Sequence, residues 1–298
     1  MKMEQRENSR TRIVGDWISA AAGIVMLTAL SMGLAQAQGR LADTHVHFHH
    51  GKASLDEYRA QLAISKLELG TAGIMWFGGP NQALQGDVVG IRANNDQIIA
   101  LAATESMPIA TVHPYDGDAA PTEPKRVATQ GRKVRKYPHT QKFDSADPRV
   151  LALVQWAEEL HVIVLMDDAS ILPEACEKLF NLALQAPKTT SIFAHLGGLN
   201  FRFWNILQAA RTAENLFGEN IYVDISATAA LVADSTIADE FVWTIRNVGV
   251  EHVRLGSDFP PFMPAQNVAA PEKRKLTDSE KAAIRHENAE KLLGLQAR

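Results

Sequence analysis

Four histidines lie within six positions of the segment DTHVHFHH, residues 43–50. Side chains in an extended strand alternate between two faces, so His45 and His47 point the same way. Two imidazoles that share a face can both bind one divalent metal ion. A histidine-rich strand end in solvent is the alternative explanation, because so short a motif often occurs by chance.

Two further polar residues follow β-rich runs later in the chain. His195 follows TSIFA and precedes two glycines, and Asp258 follows HVRLGS. Either residue alone could be structural, as a buried histidine bonded to a neighbour or as an aspartate that caps the next helix. Three such strand ends in one chain favour a metal or acid–base site over that explanation.

The elements that must position these residues alternate between strand and helix from residue 41 to residue 294. Eight repeated βα units in about 250 residues match a closed (β/α)8 TIM barrel, an α/β fold whose active site lies at the carboxyl ends of the strands. An open doubly wound sheet is the alternative, but no Gly-rich phosphate loop follows the first strand. Strands are predicted at 41–48, 72–78, 108–114, 132–137, 161–167, 190–196, 220–226 and 252–258, and helices at 147–160, 172–186, 204–217, 237–248 and 279–294.

The composition is that of a globular protein with an acidic balance. The 298 residues are 46% hydrophobic and 21% charged, with a net charge of -4. No basic excess is available to neutralise phosphates, so we expect a small-molecule substrate and no nucleic-acid partner. Cys176 is the only cysteine, so no intramolecular disulfide can form. Homo-oligomers are common among soluble proteins, and the sequence leaves the oligomeric state open.

Residues 1–37 are typical of a secretory signal peptide. Basic residues precede the apolar run WISAAAGIVMLTALSMGLA, and Ala35-Gln36-Ala37 forms a small-residue cleavage site. We predict cleavage after Ala37, a barrel domain over residues 38–298, export to the periplasm or medium, and no membrane association afterwards. An uncleaved anchor is the alternative, since the run from Trp17 to Ala35 is long enough to span a bilayer.

The segments DTHVHF, FAHLGG, GSDFP and HENAEKLLGL together resemble the amidohydrolase superfamily. The resemblance is to its amidohydrolase-related branch, which includes aminocarboxymuconate semialdehyde decarboxylase and pyrone dicarboxylate lactonases. It implies that His45 and His47 bind one divalent metal ion, with Zn as first choice and Mn or Mg as alternatives. It further implies that Asp258 is a metal ligand or a proton shuttle, and that His195 is a catalytic acid–base group or a ligand.

The fifth predicted strand departs from the family pattern. Family members usually end this strand in a metal-binding histidine, whereas this chain reads VLMDD at 164–168. Asp167 is the best substitute, because a carboxylate oxygen binds Zn, Mn or Mg. The alternative is that Asp167 or Asp168 caps the next helix, with Pro173 near its first turn.

The fourth predicted strand contains basic residues that could bind substrate. Arg135 aligns with the lysine that, when carbamylated, bridges two metals in some superfamily members, and arginine cannot form that bridge. The resemblance therefore implies a single metal ion. Arg135, or His139 just after the strand, could hold a substrate carboxylate, and a solvated basic strand end is the alternative.

These features together predict a metal-dependent hydrolase of a carboxylate-bearing amide, lactone or ester that uses metal-bound water. Nonoxidative decarboxylation on the same site is an alternative. A noncatalytic ligand-binding barrel, with a metal site degraded at the fifth strand, is another.

Overall fold

The computed structural model of the protein describes residues 40–78, 81–102, 106–128, 134–137, 141–213 and 219–295. The predicted signal peptide lies outside these residues, so its cleavage and the export of the protein stay predictions. His139 also lies outside them. Within the described ranges, no helix combines the length and the apolar character needed to cross a bilayer.

Eight strands form one sheet in the order of the sequence, and each pair from the second strand to the eighth is parallel. The sheet closes where the first strand pairs with the residues after the eighth. Thr44 N donates to Leu255 O at 3.0 Å, and His47 N donates to Phe259 O at 2.9 Å. The predicted (β/α)8 barrel is therefore confirmed. Its strands are β1 (Arg40–His47), β2 (Glu68–Met75), β3 (Ser106–Ala110), β4 (Val134–Tyr137), β5 (Ile163–Asp167), β6 (Ser191–Ala194), β7 (Ile221–Asp224) and β8 (Val253–Arg254).

The helices follow the strands on the outside of the barrel. Asp147 caps one of them by accepting a hydrogen bond from Arg149 N at 2.8 Å. The helix predicted at 204–217 is shorter, because an irregular 3-10 segment, His195–Asn205, comes before it. The α-helices are α1 (Lys52–Ile64), α2 (Val88–Ala102), α3 (Ala119–Ala128), α4 (Pro148–Glu159), α5 (Ala175–Gln185), α6 (Ile206–Ala210), α7 (Thr228–Val232), α8 (Ala238–Val248), α9 (Pro264–Glu272), α10 (Asp278–Ala282) and α11 (Asn288–Leu293), with a π-helical turn, Ala283–Glu287, before α11.

Two apolar layers support the strand ends. The larger one packs the helices on the outer face of the sheet and contains the buried Trp204 and Phe193. The smaller one joins strand residues such as Leu165 to Ala289 and Leu293 of α11. Because Leu165 and Asp167 share a face of β5, this second layer lies beneath the strand ends, and the carboxyl end of the barrel is left to polar residues.

Candidate metal and acid–base site

His45 and His47 meet inside the mouth of the barrel, as their spacing predicts. Their Nε2 atoms lie 3.1 Å apart, and both residues are buried. The Nδ1 atom of His45 faces Asp224 Oδ2 at 3.1 Å, and Nδ1 of His47 faces the carbonyl oxygen of Phe77. A carboxylate or carbonyl oxygen can only accept a hydrogen bond, so each Nδ1 carries the proton. Both Nε2 atoms therefore present lone pairs to the same point.

Asp258 adds a carboxylate to this point. Its Oδ1 atom lies 3.5 Å from His45 Nε2 and 3.3 Å from His47 Nε2. Three acceptors facing one another are repulsive unless a proton or a metal ion lies among them. The donor set of two imidazoles and one carboxylate suits a divalent transition metal.

His195 lies on the other side of the same point. One ligand atom each of His45, His195 and Asp258 lie within 4.8 Å of one another. The Nδ1 atom of His195 faces Ser226 O at 3.1 Å, so its Nε2 atom is turned to the site. The structure therefore brings together all three strand ends that the sequence singles out.

The pKa values of His195 and Asp258 are shifted in opposite directions, so that His195 can act as an acid and Asp258 as a base. Burial lowers the pKa of His195, but its interaction with Asp167 and the charges of Asp258 and Asp224 outweigh burial and raise that pKa to about 9. Burial raises the pKa of Asp258, but while no metal ion is bound and the histidines carry protons, hydrogen bonding with His47 and the charges of the nearby histidines outweigh burial and hold that pKa well below its ordinary value. These shifts favour the protonated form of His195 and the ionised form of Asp258.

Both members of this pair have a strained backbone. His195 has φ 64° and Asp258 has φ 59°, in the left-handed region that residues with a side chain rarely adopt. Such conformations are concentrated at active sites, where the surrounding fold must hold them. Two glycines make room for this geometry, because a side chain at either position would collide with a neighbouring residue. A Cβ on Gly256 would lie 2.6 Å from His45 Cβ, and one on Gly198, φ +56°, would lie 2.5 Å from Ala169 O.

Asp167 lies beside His195 at the site, and it does not cap a helix. Its Oδ2 atom lies 3.8 Å from His195 Nε2, and its Oδ1 atom accepts a hydrogen bond from Ala169 N at 3.1 Å. The next helix begins at Ala175, with Glu174 in the cap position. The alternative that Asp167 or Asp168 caps this helix is therefore wrong, because a loop of several residues separates β5 from α5.

Asp168 is instead buried beneath the loops that follow β5 and β6. Its Oδ2 atom accepts a hydrogen bond from Trp204 Nε1 at 2.8 Å, and its Oδ1 atom accepts one from the Cys176 thiol at 3.3 Å. Burial raises the pKa of Asp168 to about 7, although both hydrogen bonds lower it. The Trp204 indole also stacks on Phe193 of β6, with ring centroids 5.0 Å apart. Through its hydrogen bond with Trp204, Asp168 connects the loop that follows Asp167 to the segment that begins at His195.

A family model described as amidohydrolase matches residues 42–295. The chain belongs to the amidohydrolase family. It is an enzyme of that superfamily, and its barrel is the fold that the sequence resemblance implies. No curated protein sequence matches this amidohydrolase significantly.

Three solved structures of 14% sequence identity share the fold. The 5-carboxyvanillate decarboxylase of Sphingomonas paucimobilis has a TM-score of 0.65, over 87% of this chain and 100% of that chain. A dihydroxybenzoic acid decarboxylase from a Polaromonas species has a TM-score of 0.61, over 87% and 98%. A probable 2-pyrone-4,6-dicarboxylic acid hydrolase of Acinetobacter baumannii has a TM-score of 0.57, over 85% and 99%.

Sequence reasoning missed one central residue of the amidohydrolase site, Asp224. It lies at the end of β7, fully buried, and its Oδ1 atom also accepts hydrogen bonds from the backbone N of His195 and of Ser226 at 3.1 and 3.0 Å. Burial raises the pKa of Asp224, but the charge of His45 and its hydrogen bond outweigh burial and lower it to about 2. The available signal was a lone carboxylate at the end of a predicted strand, at 220–226.

Arg135 and His139 are the two predicted substrate-binding residues. Arg135 lies in β4, between neighbours β3 and β5, where it pairs with Val164 in the register of the sheet. His139 falls outside the described residues. Their role in binding a substrate carboxylate therefore stays a prediction.

Proposed function

We propose that this amidohydrolase uses one divalent metal ion to hydrolyse a small-molecule amide, lactone or ester that carries a carboxylate. The observation that supports it is the meeting of His45 Nε2, His47 Nε2 and Asp258 Oδ1 at one point. Each imidazole has its Nδ1 proton engaged elsewhere, so a divalent cation at this point would bind both Nε2 lone pairs. Zn is our first choice, with Mn and Mg as alternatives, and the related Polaromonas decarboxylase structure contains manganese.

We expect His45, His47 and Asp258 to hold the ion, with Asp167 as a further ligand. When bound, a divalent ion polarises the substrate carbonyl and lowers the pKa of nearby water. Asp224 keeps His45 in the tautomer that leaves Nε2 free to bind. The carboxylate of Asp258 would accept the proton of the attacking water, and Nε2 of His195 would donate a proton to the leaving group.

Nonoxidative decarboxylation is the second candidate, because the carboxylates of Asp167, Asp258 and Asp224 around His195 favour its protonated form. A protonated imidazole at the site could deliver a proton to the ring carbon as carbon dioxide leaves. Two of the three related structures are decarboxylases, and the third is described as a hydrolase of a pyrone dicarboxylic acid. All three are named for ring acids, which supports a carboxylate-bearing substrate for either reaction.

The acid–base pair supports catalysis over a noncatalytic ligand-binding barrel. A binding protein has no need of a protonated His195 beside an ionised Asp258, each held in a strained conformation. Arg135 and His139 are our candidates for the substrate carboxylate. Export to the periplasm or medium, and assembly as a homo-oligomer, remain part of the proposal.

The first experiment is the metal content per chain of the purified protein, wild type beside His45→Ala and His50→Ala. His50 is exposed and lies in the same histidine-rich segment, so it is the matched control. We expect about one equivalent of metal in the wild type and in His50→Ala, and a loss in His45→Ala. Absence of metal after reconstitution with Zn or Mn would contradict the proposal.

The metal-loaded protein then distinguishes the two reactions. A pyrone dicarboxylate and 2,6-dihydroxybenzoate are tested side by side, with ring opening followed by absorbance and carbon dioxide release measured directly. Ring opening without carbon dioxide supports the hydrolase, and carbon dioxide release supports the decarboxylase.

A further inference from the structure

The hydroxyl group of Ser226 lies behind the site, between the rings of His45 and His195. Ser226 is fully buried and comes two residues after the end of β7. Its Oγ atom lies 3.0 Å from His195 Nδ1 and 3.2 Å from His45 Nδ1, and it also contacts Asp224 Oδ1. One hydroxyl group therefore joins residues from the carboxyl ends of β1, β6 and β7.

The direction of these hydrogen bonds follows from the other partners of Asp224. Asp224 Oδ1 accepts hydrogen bonds from the backbone N of His195 and of Ser226, so it is an acceptor for the hydroxyl group as well. Ser226 therefore donates its hydroxyl proton to Asp224. The hydroxyl oxygen has two lone pairs left, and these can accept the Nδ1 protons of His45 and His195.

His195 depends on Ser226 more than His45 does. The Nδ1 atom of His45 also faces Asp224 Oδ2 at 3.1 Å, so a carboxylate holds its proton. Both acceptors that face Nδ1 of His195 belong to Ser226, and they are Oγ at 3.0 Å and the carbonyl oxygen at 3.1 Å. A single residue therefore holds the His195 ring from behind.

The surroundings fix Ser226 and leave His195 in need of support. A Cβ on Gly256 would lie 3.0 Å from Ser226 Cβ, so the chain after β8 packs closely against the serine. The backbone of His195 is strained, with φ 64°. Such a conformation persists only where neighbouring groups hold it.

The position of the ring decides which atom of His195 faces the site. With Nδ1 bonded to Ser226, the Nε2 atom lies 3.8 Å from Asp167 Oδ2, on the side of the site. A half-turn of the ring would replace Nε2 by the carbon Cε1, which cannot donate a proton. The hydrogen bonds of Nδ1 therefore determine whether His195 can act as an acid.

We propose that Ser226 is a positioning residue whose hydroxyl group holds the Nδ1 proton of His195 away from the site and links that ring to the ring of His45. The inference rests on the proposed function, because Ser226 acts through the acid–base group of that reaction. It applies to hydrolysis and to decarboxylation alike.

The test follows the Nδ1 proton of His195 by NMR, in protein labelled with ¹⁵N at its ten histidines. The signal is identified by its absence in His195→Gln, and the protein is measured both without metal and after addition of Zn. In wild type we expect slow exchange of this proton with water. In Ser226→Ala, exchange should be about tenfold faster or more, because one of the two acceptors is gone.

The Ser226→Ala variant should fold, because each Nδ1 proton keeps one acceptor. Asp224 Oδ2 remains for His45, and the carbonyl oxygen of residue 226 remains for His195.

Ser54→Ala is the matched control, since it makes the same change at another buried serine. The hydroxyl group of Ser54 accepts a hydrogen bond from the backbone N of His50 at 3.1 Å, in α1 and away from His195. This variant should leave the exchange rate of the His195 proton unchanged. Equal exchange rates in Ser226→Ala and wild type, or equal acceleration in Ser54→Ala, would overturn the inference.

Turnover gives a second readout, so that the two proposals can fail independently. A misplaced His195 impairs proton donation but not substrate binding, so kcat of Ser226→Ala should fall about tenfold or more while KM stays within about twofold of wild type. An unchanged kcat would also overturn the inference. If wild type turns over neither a pyrone dicarboxylate nor 2,6-dihydroxybenzoate, the proposed function fails, and the exchange of the His195 proton alone decides the role of Ser226.

Discussion

A buried carboxyl group lies beneath each side of the site, and the two groups have different partners. On the side of β1 and β8, Asp43 Oδ1 accepts from the backbone N of Ser257 at 2.8 Å and of His45 at 3.3 Å, and its Oδ2 atom accepts from Tyr58 Oη at 2.8 Å. On the side of β5 and β6, the donors to Asp168 are the Trp204 indole and the Cys176 thiol.

This difference is reflected in the protonation of the two groups. Burial raises both pKa values, to about 6 for Asp43 and to about 7 for Asp168. Backbone N–H groups stabilise the ionised form of Asp43, while Asp168 relies on side chains from distant positions. Backbone hydrogen bonds to Asp43 therefore hold the side of β1 and β8. The side of β5 and β6 depends on the packing of the loops that bring Trp204 and Cys176 to Asp168.

The largest effect is expected at Asp258, which acts from the backbone-anchored side. Asp258→Asn keeps the shape of the side chain but removes the proton acceptor, so kcat should fall about 10²–10⁴-fold. Steady-state kinetics on a pyrone dicarboxylate or 2,6-dihydroxybenzoate, whichever the enzyme turns over, measure the effect. Asp56→Asn, at an exposed carboxylate, is the control, and a similar kcat in both variants would contradict the role of Asp258.

Asp168 should make folding stability depend on pH. Its pKa is about 7 in the folded protein against an ordinary value of 3.8, so the folded state binds more protons between these values. The free energy of unfolding therefore falls as pH rises through this range, by up to about 4 kcal/mol. Asp168→Asn should remove this contribution to the decrease, while Asp43 keeps its own.

Urea unfolding of the wild type and Asp168→Asn, at several values from about pH 4 to about pH 7, measures this effect. The two stabilities should diverge as the pH rises, with the variant the more stable. Parallel curves would show that Asp168 is not a buried carboxyl group of raised pKa.

Asp224 connects the two sides, because it contacts His45 with one oxygen and the backbone of His195 with the other. Asp224→Asn should weaken metal binding about 10–100-fold, since a neutral amide holds the His45 tautomer less well. Metal titration of the purified protein gives the affinity. Asp239→Asn, at a surface carboxylate, should leave it unchanged, and an unchanged affinity in Asp224→Asn would remove this residue from the site.

The smallest effect is expected at Tyr58, and comparison with Trp204 sharpens the contrast. Tyr58→Phe removes one donor from Asp43 but leaves two backbone donors, so it should cost about 1 kcal/mol of unfolding free energy. Trp204→Phe leaves Asp168 with the thiol alone and should cost more, about 2–3 kcal/mol. Urea unfolding compares the two variants, and equal costs would argue against the difference between the two sides.

The sequence predicted the barrel and the groups that its strands carry at their ends. Alternating strand and helix patterns determine the fold class, and the two-residue spacing of His45 and His47 requires a shared face. The boundaries of the strands were less predictable. The run at 252–258 forms a regular strand only at Val253–Arg254, because the following residues pair with β1 as irregular extended chain.

The supporting carboxyl groups could not be predicted for a physical reason. Asp224 and His45 are separated by 179 positions, and Asp168 and Trp204 by 36. A lone aspartate after a strand resembles a cap or a turn residue until the barrel brings its partner close. Helix-cap reasoning failed at Asp167 because the length of the loop before α5 follows from tertiary packing.

The closure of the barrel has a consequence for the order in which the protein folds. Thr44 Oγ1 donates to Leu255 O, across 211 positions of the chain, so β1 has no closing partner until the segment after β8 has been synthesised. Contacts of such long sequence separation form slowly, and until then β1 is the open edge of an incomplete sheet. A nascent or truncated chain that stops before residue 255 would expose this edge, with its histidines, to other chains and would be prone to aggregate.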